Sequence, residues 1–235
     1  METTKANIYK GYHEVVTDHF YKWEKAQSKR YFEYRKKWVN NAKNLIVEDF
    51  PLHLDIGITN ICNLECTFCA RTVLVNEDKF REPAHMDFEL FKKIIDEINL
   101  NGTKAITLAS RGEPTLHPQL KEMLEYCSGK FFEIKMNTNA TRLNDELIHT
   151  ILKSGVTDIV FSVDSYKKED YEKIRIRGVF DTVVKNVKRF QEIKKEFYPE
   201  SFCATRISGV RMNKELDVHE FKKFWEKYVD HVSLQ

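Results

Sequence analysis

The chain has 235 residues, of which 42% are hydrophobic and 31% charged, a balance that fits a soluble globular protein with one good core and a small appendage. Its net charge of +2 gives no whole-chain case for a polyanion partner, and no apolar run approaches the ~18 residues of a membrane span. Met1-Glu2-Thr3-Thr4-Lys5 is followed by no apolar segment, so no signal peptide is expected, and five cysteines, three of them clustered, fit a reducing cytoplasm.

Residues 1–49 differ from the rest. The first 44 hold ten Lys or Arg against five Asp or Glu, with Tyr9, Tyr12, Phe20, Tyr21, Trp23, Tyr31, Phe32, Tyr34 and Trp38 interleaved. No Gly or Pro occurs between Tyr12 and Lys43, which favours one or two helices. The expectation is a basic, aromatic-rich helical extension packed on the outside of the next domain with its Lys and Arg solvated. Stacking on bases or binding an acidic partner is the other use of such a composition.

From Pro51 onward strand-like and helix-like stretches alternate, which argues for a parallel α/β architecture. The first strand is expected over 52–59, where Leu52, Leu54, Ile56 and Ile58 alternate with other residues. A loop with Cys62, Cys66 and Cys69 follows, then a polar stretch over 71–85 read as loop. A helix over 88–99 has Asp87 as its N-cap and Gly102 as its stop. Strands are expected over 105–109, 131–137, 158–164, 203–210 and 231–235. Helices over 118–127, from Asn144 to near Gly155, from Asp181 through Phe197, and over 218–228 separate them.

Three thiols in eight residues, spaced C-x3-C-x2-C, suit soft metals or disulfides. A disulfide framework wants an even count and a secreted context, while structural zinc and iron–sulfur clusters usually take four ligands. No fourth Cys or nearby His lies in this loop. Three ligands on a four-iron cube would leave one iron open to a substrate. Cys127 and Cys203 stand alone and read as buried small hydrophobes.

The spacing, with Phe68 just before the third Cys, resembles the radical S-adenosylmethionine (SAM) enzymes. The wider stretch Phe50-Pro51-Leu52-His53-Leu54-Asp55 … Thr59-Asn60-Ile61-Cys62-Asn63-Leu64 is similar to the branch that carries a C-terminal SPASM region. The resemblance implies an α/β fold, a partial (βα)6 barrel of radical SAM type over 50–235 with an N-terminal helical extension. It implies a [4Fe–4S] cluster on Cys62, Cys66 and Cys69, with SAM chelating the fourth iron through its amino and carboxylate groups. Gly112-Glu113-Pro114, which stands where the family has Gly-Gly-Glu-Pro, would meet the amino end of SAM. Arg111 occupies the place of the first Gly and would have to take an ordinary backbone conformation with its side chain turned away. Asn137-Thr138-Asn139, with Ala140 for the family Gly, falls after the third strand and contributes Asn137.

Ser162 and Asp164 would hold the ribose, Arg175 or Arg177 the SAM carboxylate, and Phe68 and Leu234 would flank the adenine. The implied reaction is one-electron cleavage of SAM to methionine and a 5′-deoxyadenosyl radical that takes hydrogen from a peptide, sugar or aminocyclitol. It calls for a one-electron donor such as a flavodoxin or ferredoxin; neither a membrane nor nucleic acid is the expected partner. Two alternatives stand beside it: a non-catalytic Fe–S or zinc protein that uses the Cys loop for electron transfer or structure, and an RNA-modifying radical SAM enzyme, for which the basic aromatic leader speaks. Relatives with this loop carry a Cys-rich region beyond the sixth strand. The chain is therefore expected to be a fragment or a shortened member, with an exposed terminal strand edge and a tendency to associate.

Overall fold

The computed structural model describes residues 25–79, 82–109, 111–212 and 215–235, and the backbone of 13–16. In chain order these form strand β1 (His13–Val16), helix α1 (Lys29–Asn44), β2 (His53–Ile56), the two-residue β3 (Glu65–Cys66), α2 (Ala70–Asn76) and α3 (Phe88–Leu100). There follow β4 (Ala105–Leu108), a 3-10 turn at Pro114–Leu116, α4 (Leu120–Cys127), β5 (Glu133–Thr138), α5 (Asp145–Lys153), β6 (Asp158–Ser162) and α6 (Lys168–Ile174). The chain closes with the two-residue β7 (Arg175–Ile176), α7 (Phe180–Phe197), β8 (Ala204–Gly209), α8 (Val218–Trp225) and β9 (His231–Leu234).

Local chemistry sets these boundaries. Asp87 and Asn144 cap α3 and α5 by accepting from the backbone N–H three residues on, and Asp217 does the same for α8 from His219 and Glu220. Gly102, just past α3, turns the chain at φ +90, a conformation that costs a side-chain-bearing residue. The long helix opens one residue before Asp181, which sits in its first turn where acidic charge favours the helix dipole; Val179 caps it without a side-chain bond.

Strands β2, β4, β5, β6, β8 and β9 run parallel in the spatial order β9-β8-β6-β5-β4-β2, with helices in every crossover. This is a partial (βα)6 barrel. Side chains alternate along each strand, and the two faces have different chemistry. Ile106, Leu108, Ile134, Met136, Phe161 and Ile207 point to the helices and form one core with Phe91, Phe190 and Trp225. By the same alternation the other face carries His53, Thr107, Lys135, Asn137, Asp158, Arg206 and His231. A parallel sheet covered by helices is normally apolar on both faces. Here the inner face is polar, so the barrel encloses a lumen lined with hydrogen-bonding groups.

The N-terminal region departs from the helical expectation. Residues 13–16 are a strand that pairs antiparallel with β9 along its whole length, Leu234 opposite His13 and His231 opposite Val16. The edge expected to lie open at the terminal strand is therefore covered, and Leu234 is fully buried. The reason is tertiary: β9 offers a free row of backbone donors and acceptors, and a short segment with Val15 and Val16 takes it. Helix α1 lies further along, with Tyr31 and Tyr34 buried against Ala105, Leu52 and Phe132. The polar stretch 71–85, read as loop, holds the short helix α2 and a single bridge between Thr59 and His85. Among the described residues no helix is long and apolar enough to cross a membrane.

Candidate active site

The chain leaves β2 and is held at once by its neighbours. The Thr59 hydroxyl donates to Ala84 O (3.1 Å) and accepts from Ile61 N (3.1 Å), and Glu113 N donates to Ile61 O (2.7 Å). These bonds fix the start of the cysteine loop against the segment that follows β4. Gly112 makes the approach possible, since a Cβ there would lie 2.3 Å from Thr59 O and 2.7 Å from Ile61 O. Its backbone φ is ordinary, so the requirement is close approach and not left-handed geometry. Arg111 likewise has an ordinary φ, and its exposed side chain stands at the rim of the site.

The loop then forms the ladder β3–β7, which sets Cys66 opposite Arg175 and Glu65 opposite Ile176. Arg175 is 7% exposed, donates from Nε to Asp164 Oδ2 (2.7 Å), and has its guanidinium carbon 5.7 Å from the centre of the Phe68 ring. Burial disfavours its charge, but the adjacent Asp164 outweighs that and raises the pKa above the ordinary arginine value. The other Asp164 oxygen accepts from Val210 N (2.9 Å). Both oxygens of Asp164 thus have protein partners. Arg177 turns away at φ 71 and pairs with Glu65 (2.8 Å) on the surface.

Glu113 is the buried acid of the site. Its Oε1 accepts from Thr138 Oγ1 (2.6 Å), Thr115 Oγ1 (2.7 Å) and Thr115 N (3.2 Å), and its Oε2 from Asn139 N (2.7 Å). Burial raises its pKa, and these four donors counter the rise only in part. Oε2, with one donor, keeps acceptor capacity for a cation. Asn139 also donates to Asn63 Oδ1 (3.0 Å), tying the cysteine loop to the end of β5. Ala140 adopts φ 61, the left-handed conformation that Gly takes without cost.

These elements enclose a cavity of about 230 Å³ at the C-terminal ends of the strands, the end where ligands collect in parallel α/β folds. Cys62, Cys66, Cys69 and Phe68 form one wall. Gly112 and Glu113 form the next, and Asn137, Ser162 and Arg175 complete it. Nine of the eleven expected site residues therefore meet at one cavity. Asp164 and Leu234 are not in its wall. Asp164 is committed to Arg175 and Val210, and Leu234 shares the helix-facing parity of Val232 and lies in the core. Sequence reading did not single out Asn63 or Thr141. Thr141 accepts from Asn63 Nδ2 (2.8 Å) and itself donates to Asn139 Oδ1 (2.7 Å), a network that no spacing rule marks.

The donor set fits an iron–sulfur cluster with an organic ligand beside it. Burial pushes the Cys66 thiol up to about 11 and raises that of Cys62, so both are neutral thiols until a metal displaces their protons. Among the described residues no three His, Cys, Asp or Glu side chains stand ready to hold a metal ion, so the three thiols would have to turn toward one another on loading. Zinc needs donors about 2.3 Å from one centre, whereas a polynuclear cluster takes its thiolates on separate irons. Asn137 Oδ1 is buried in the wall with no hydrogen-bond partner among the described residues, and that lack calls for a ligand with a donor.

A parallel partial barrel with a three-thiol loop and a buried carboxylate at the C-terminal mouth defines a cofactor-binding domain. The sequence profile of the Radical SAM superfamily matches residues 56–230, and the chain belongs to that family. The cofactor pair of the family is a [4Fe–4S] cluster and SAM.

Among curated proteins, the chain is 33% identical over 113 residues to a tungsten-containing aldehyde ferredoxin oxidoreductase cofactor-modifying protein of Pyrococcus furiosus, covering 48% of this chain and 30% of that protein. It is 25% identical over 181 residues to the mycofactocin maturase MftC of Mycolicibacterium smegmatis, covering 77% of this chain and 43% of the relative. The chain thus spans less than half the length of these relatives. Among solved structures, Streptococcus suis SuiB bound to S-adenosylmethionine superposes with a TM-score of 0.62 at 22% identity, covering 90% of this chain and 48% of SuiB. SuiB bound to the precursor peptide SuiA gives 0.60 at 22% identity, over 83% of this chain and 40% of SuiB. These superpositions show the same partial-barrel fold.

Proposed function

We propose that this chain is the core of a radical SAM enzyme that modifies a peptide. The observation that carries the reading is the single cavity in which three cysteines from one loop meet Glu113, Asn137, Ser162 and Arg175 from four other segments. When bound, the cluster and SAM supply a 5′-deoxyadenosyl radical by one-electron cleavage of SAM, with a flavodoxin- or ferredoxin-type protein as electron donor. The peptide substrate is supported by SuiB, whose structure holds a precursor peptide, and by the polar lumen beneath the cavity.

The chain's own residues divide the work. Cys62, Cys66 and Cys69 hold the cluster. Glu113, with acceptor capacity left on Oε2, faces the amino group of SAM, and a cation there offsets the cost of burying its charge. Arg175 keeps its terminal N–H groups for the SAM carboxylate while Asp164 holds its Nε. This assigns Asp164 the positioning of Arg175, not the ribose. Asn137 and Ser162, on the lumen face of adjacent strands, take the ribose hydroxyls. Phe68 lines the remaining wall.

Anaerobic reconstitution followed by incubation with dithionite and SAM tests this directly. The expected products are 5′-deoxyadenosine and methionine, in amounts that depend on all three loop cysteines. A chain that carries a full cluster yet forms no 5′-deoxyadenosine would overturn the proposal.

A further inference from the structure

The lumen has a second end. At the N-terminal ends of the strands it widens into a cavity of about 360 Å³, within the range of small-ligand pockets. Arg35 and Trp38 of α1 form part of its wall, and the strands contribute Glu133, Lys135, Asp158 and Arg206. It belongs to the same lumen as the upper cavity. Lys135 and Asn137 share a face of β5 two residues apart, so the two walls are separated by roughly 6–7 Å along the strand.

Most polar groups at this end already have partners. Glu133 accepts from Tyr31 Oη (3.0 Å) and Tyr34 Oη (3.3 Å) and pairs with Arg35 (3.6 Å). His53 shares a hydrogen bond with Thr107 Oγ1 (2.6 Å). Arg206 approaches one oxygen of Asp158 at 3.6 Å. Two groups remain. Asp158 Oδ1 is buried with no hydrogen-bond partner among the described residues. Lys135 makes no hydrogen bond or ion pair among the described residues. The two are register partners on β5 and β6, yet they form no ion pair with each other. The Lys135 charge acts on Asp158 through space, but the ammonium has no hydrogen bond among the described residues. A buried acceptor and an ammonium with donors to spare, side by side in one cavity, are complementary to a ligand that brings a carboxylate and an N–H donor together.

We propose that the lower cavity binds an amino-acid group through a carboxylate on Lys135 and an adjacent N–H on Asp158 Oδ1. The group is a free amino acid or the C-terminal residue of a peptide. The binding stands apart from the chemistry at the upper cavity; that the ligand is the far end of the substrate rests on the radical SAM reading above. The cavity then fixes which residue of a peptide reaches the upper site, by holding its terminus a set distance away.

Calorimetry on the reconstituted full chain with SAM present tests the site, with glycine, glycylglycine and glycylglycine amide as probes. Glycine or glycylglycine should bind, and amidation should weaken binding roughly tenfold. Lys135→Met should give a similar loss, and Asp158→Asn a smaller one, with folding checked by circular dichroism. Tighter binding of glycylglycine than of glycine supports a peptide terminus, and the reverse a free amino acid. The amide binding as tightly as the free acid, or no binding of any probe at millimolar concentration, overturns the site. The amide comparison uses the unaltered chain and so decides the matter even where a variant fails to fold. Glycylglycine binding in protein that cannot cleave SAM would refute the upper-site chemistry alone; SAM cleavage without probe binding would refute this site alone.

Discussion

The two ends of the barrel lumen are both polar, but they are built differently. The upper cavity takes five of its wall residues, Cys62, Leu64, Cys66, Phe68 and Cys69, from one loop of eight residues. The lower cavity draws its polar groups from the starts of several strands and from α1, with Glu133 and Lys135 on β5, Asp158 on β6, Arg206 on β8, His231 on β9 and Arg35 on α1. One end offers soft donors whose protons a metal must displace, and the other offers hard charges and hydrogen bonds. The difference teaches where a parallel barrel can change its chemistry. Loops at the C-terminal ends of strands tolerate a compact motif, while the N-terminal ends change one lumen-facing residue at a time.

The largest expected effect separates the two ends outright. Cys62→Ala, Cys66→Ala or Cys69→Ala should abolish the cluster, seen as loss of bound iron and of visible absorbance after anaerobic reconstitution. Each should leave glycylglycine binding at the lower cavity within about twofold of the parent. Parallel loss at both ends would mean that the lumen is one cooperative unit and not two sites.

Next in size is Gly112→Ala. The new Cβ meets backbone oxygens of Thr59 and Ile61 and not a flexible side chain, so the cysteine loop must move. A destabilisation of about 1–3 kcal/mol in urea unfolding is expected, with reduced iron loading. Wild-type stability together with full loading would show that the approach of these segments does not matter to the site.

Asn137→Ala is expected to act on binding more than on folding. Removing an acceptor with no protein partner costs the free chain little, but a bound SAM would lose one hydrogen bond. An affinity loss of about 1 kcal/mol, or roughly fivefold, is predicted by calorimetry. Unchanged affinity would remove Asn137 from the SAM site.

The smallest effect is a pH slope. Burial raises the pKa of Asp158 above its ordinary 3.8, so the folded chain holds its proton more tightly than the unfolded chain. The associated stability is fully present below about 3.8 and is lost as pH rises through the raised folded value. Glu113 shifts in the same direction for the same reason. Asp158→Asn should therefore flatten part of the fall in melting temperature as pH rises from the acid side. An identical slope in parent and variant would show that Asp158 is not buried as described.

Much of the fold could be read from the sequence because its signals are local. Asp87 and Asn144 cap the helices they were expected to cap, and the apolar alternation of Leu54 and Ile56 marks the first barrel strand. The spacing of Cys62, Cys66 and Cys69, and Glu113 after the second barrel strand, lie within a few residues of their strand ends, so their meeting at one cavity follows from the parallel topology. What could not be read depends on partners distant in sequence. The sequence of β1 reads as helix because nothing between Tyr12 and Lys43 breaks one, and only the free edge of β9, more than 200 residues on, makes it a strand. The β3–β7 ladder has two residues on each side, too few for any periodicity, yet it sets Arg175 beside Cys66. The family resemblance and strand parity point Asp164 to the ribose, whereas its pairing with Arg175 depends on α6 bringing the chain back. The lower cavity left no trace in any motif because each strand contributes only one or two of its residues.

Electron paramagnetic resonance of the reduced, reconstituted chain, recorded with and without SAM, tests the central assignment most directly. The prediction is one [4Fe–4S] signal per chain that shifts on addition of SAM, reads the same in Cys127→Ala and disappears in Cys66→Ala. A signal that saturating SAM leaves unmoved, or a full cluster retained in Cys66→Ala, would contradict the assignment of the upper cavity as the cluster and SAM site.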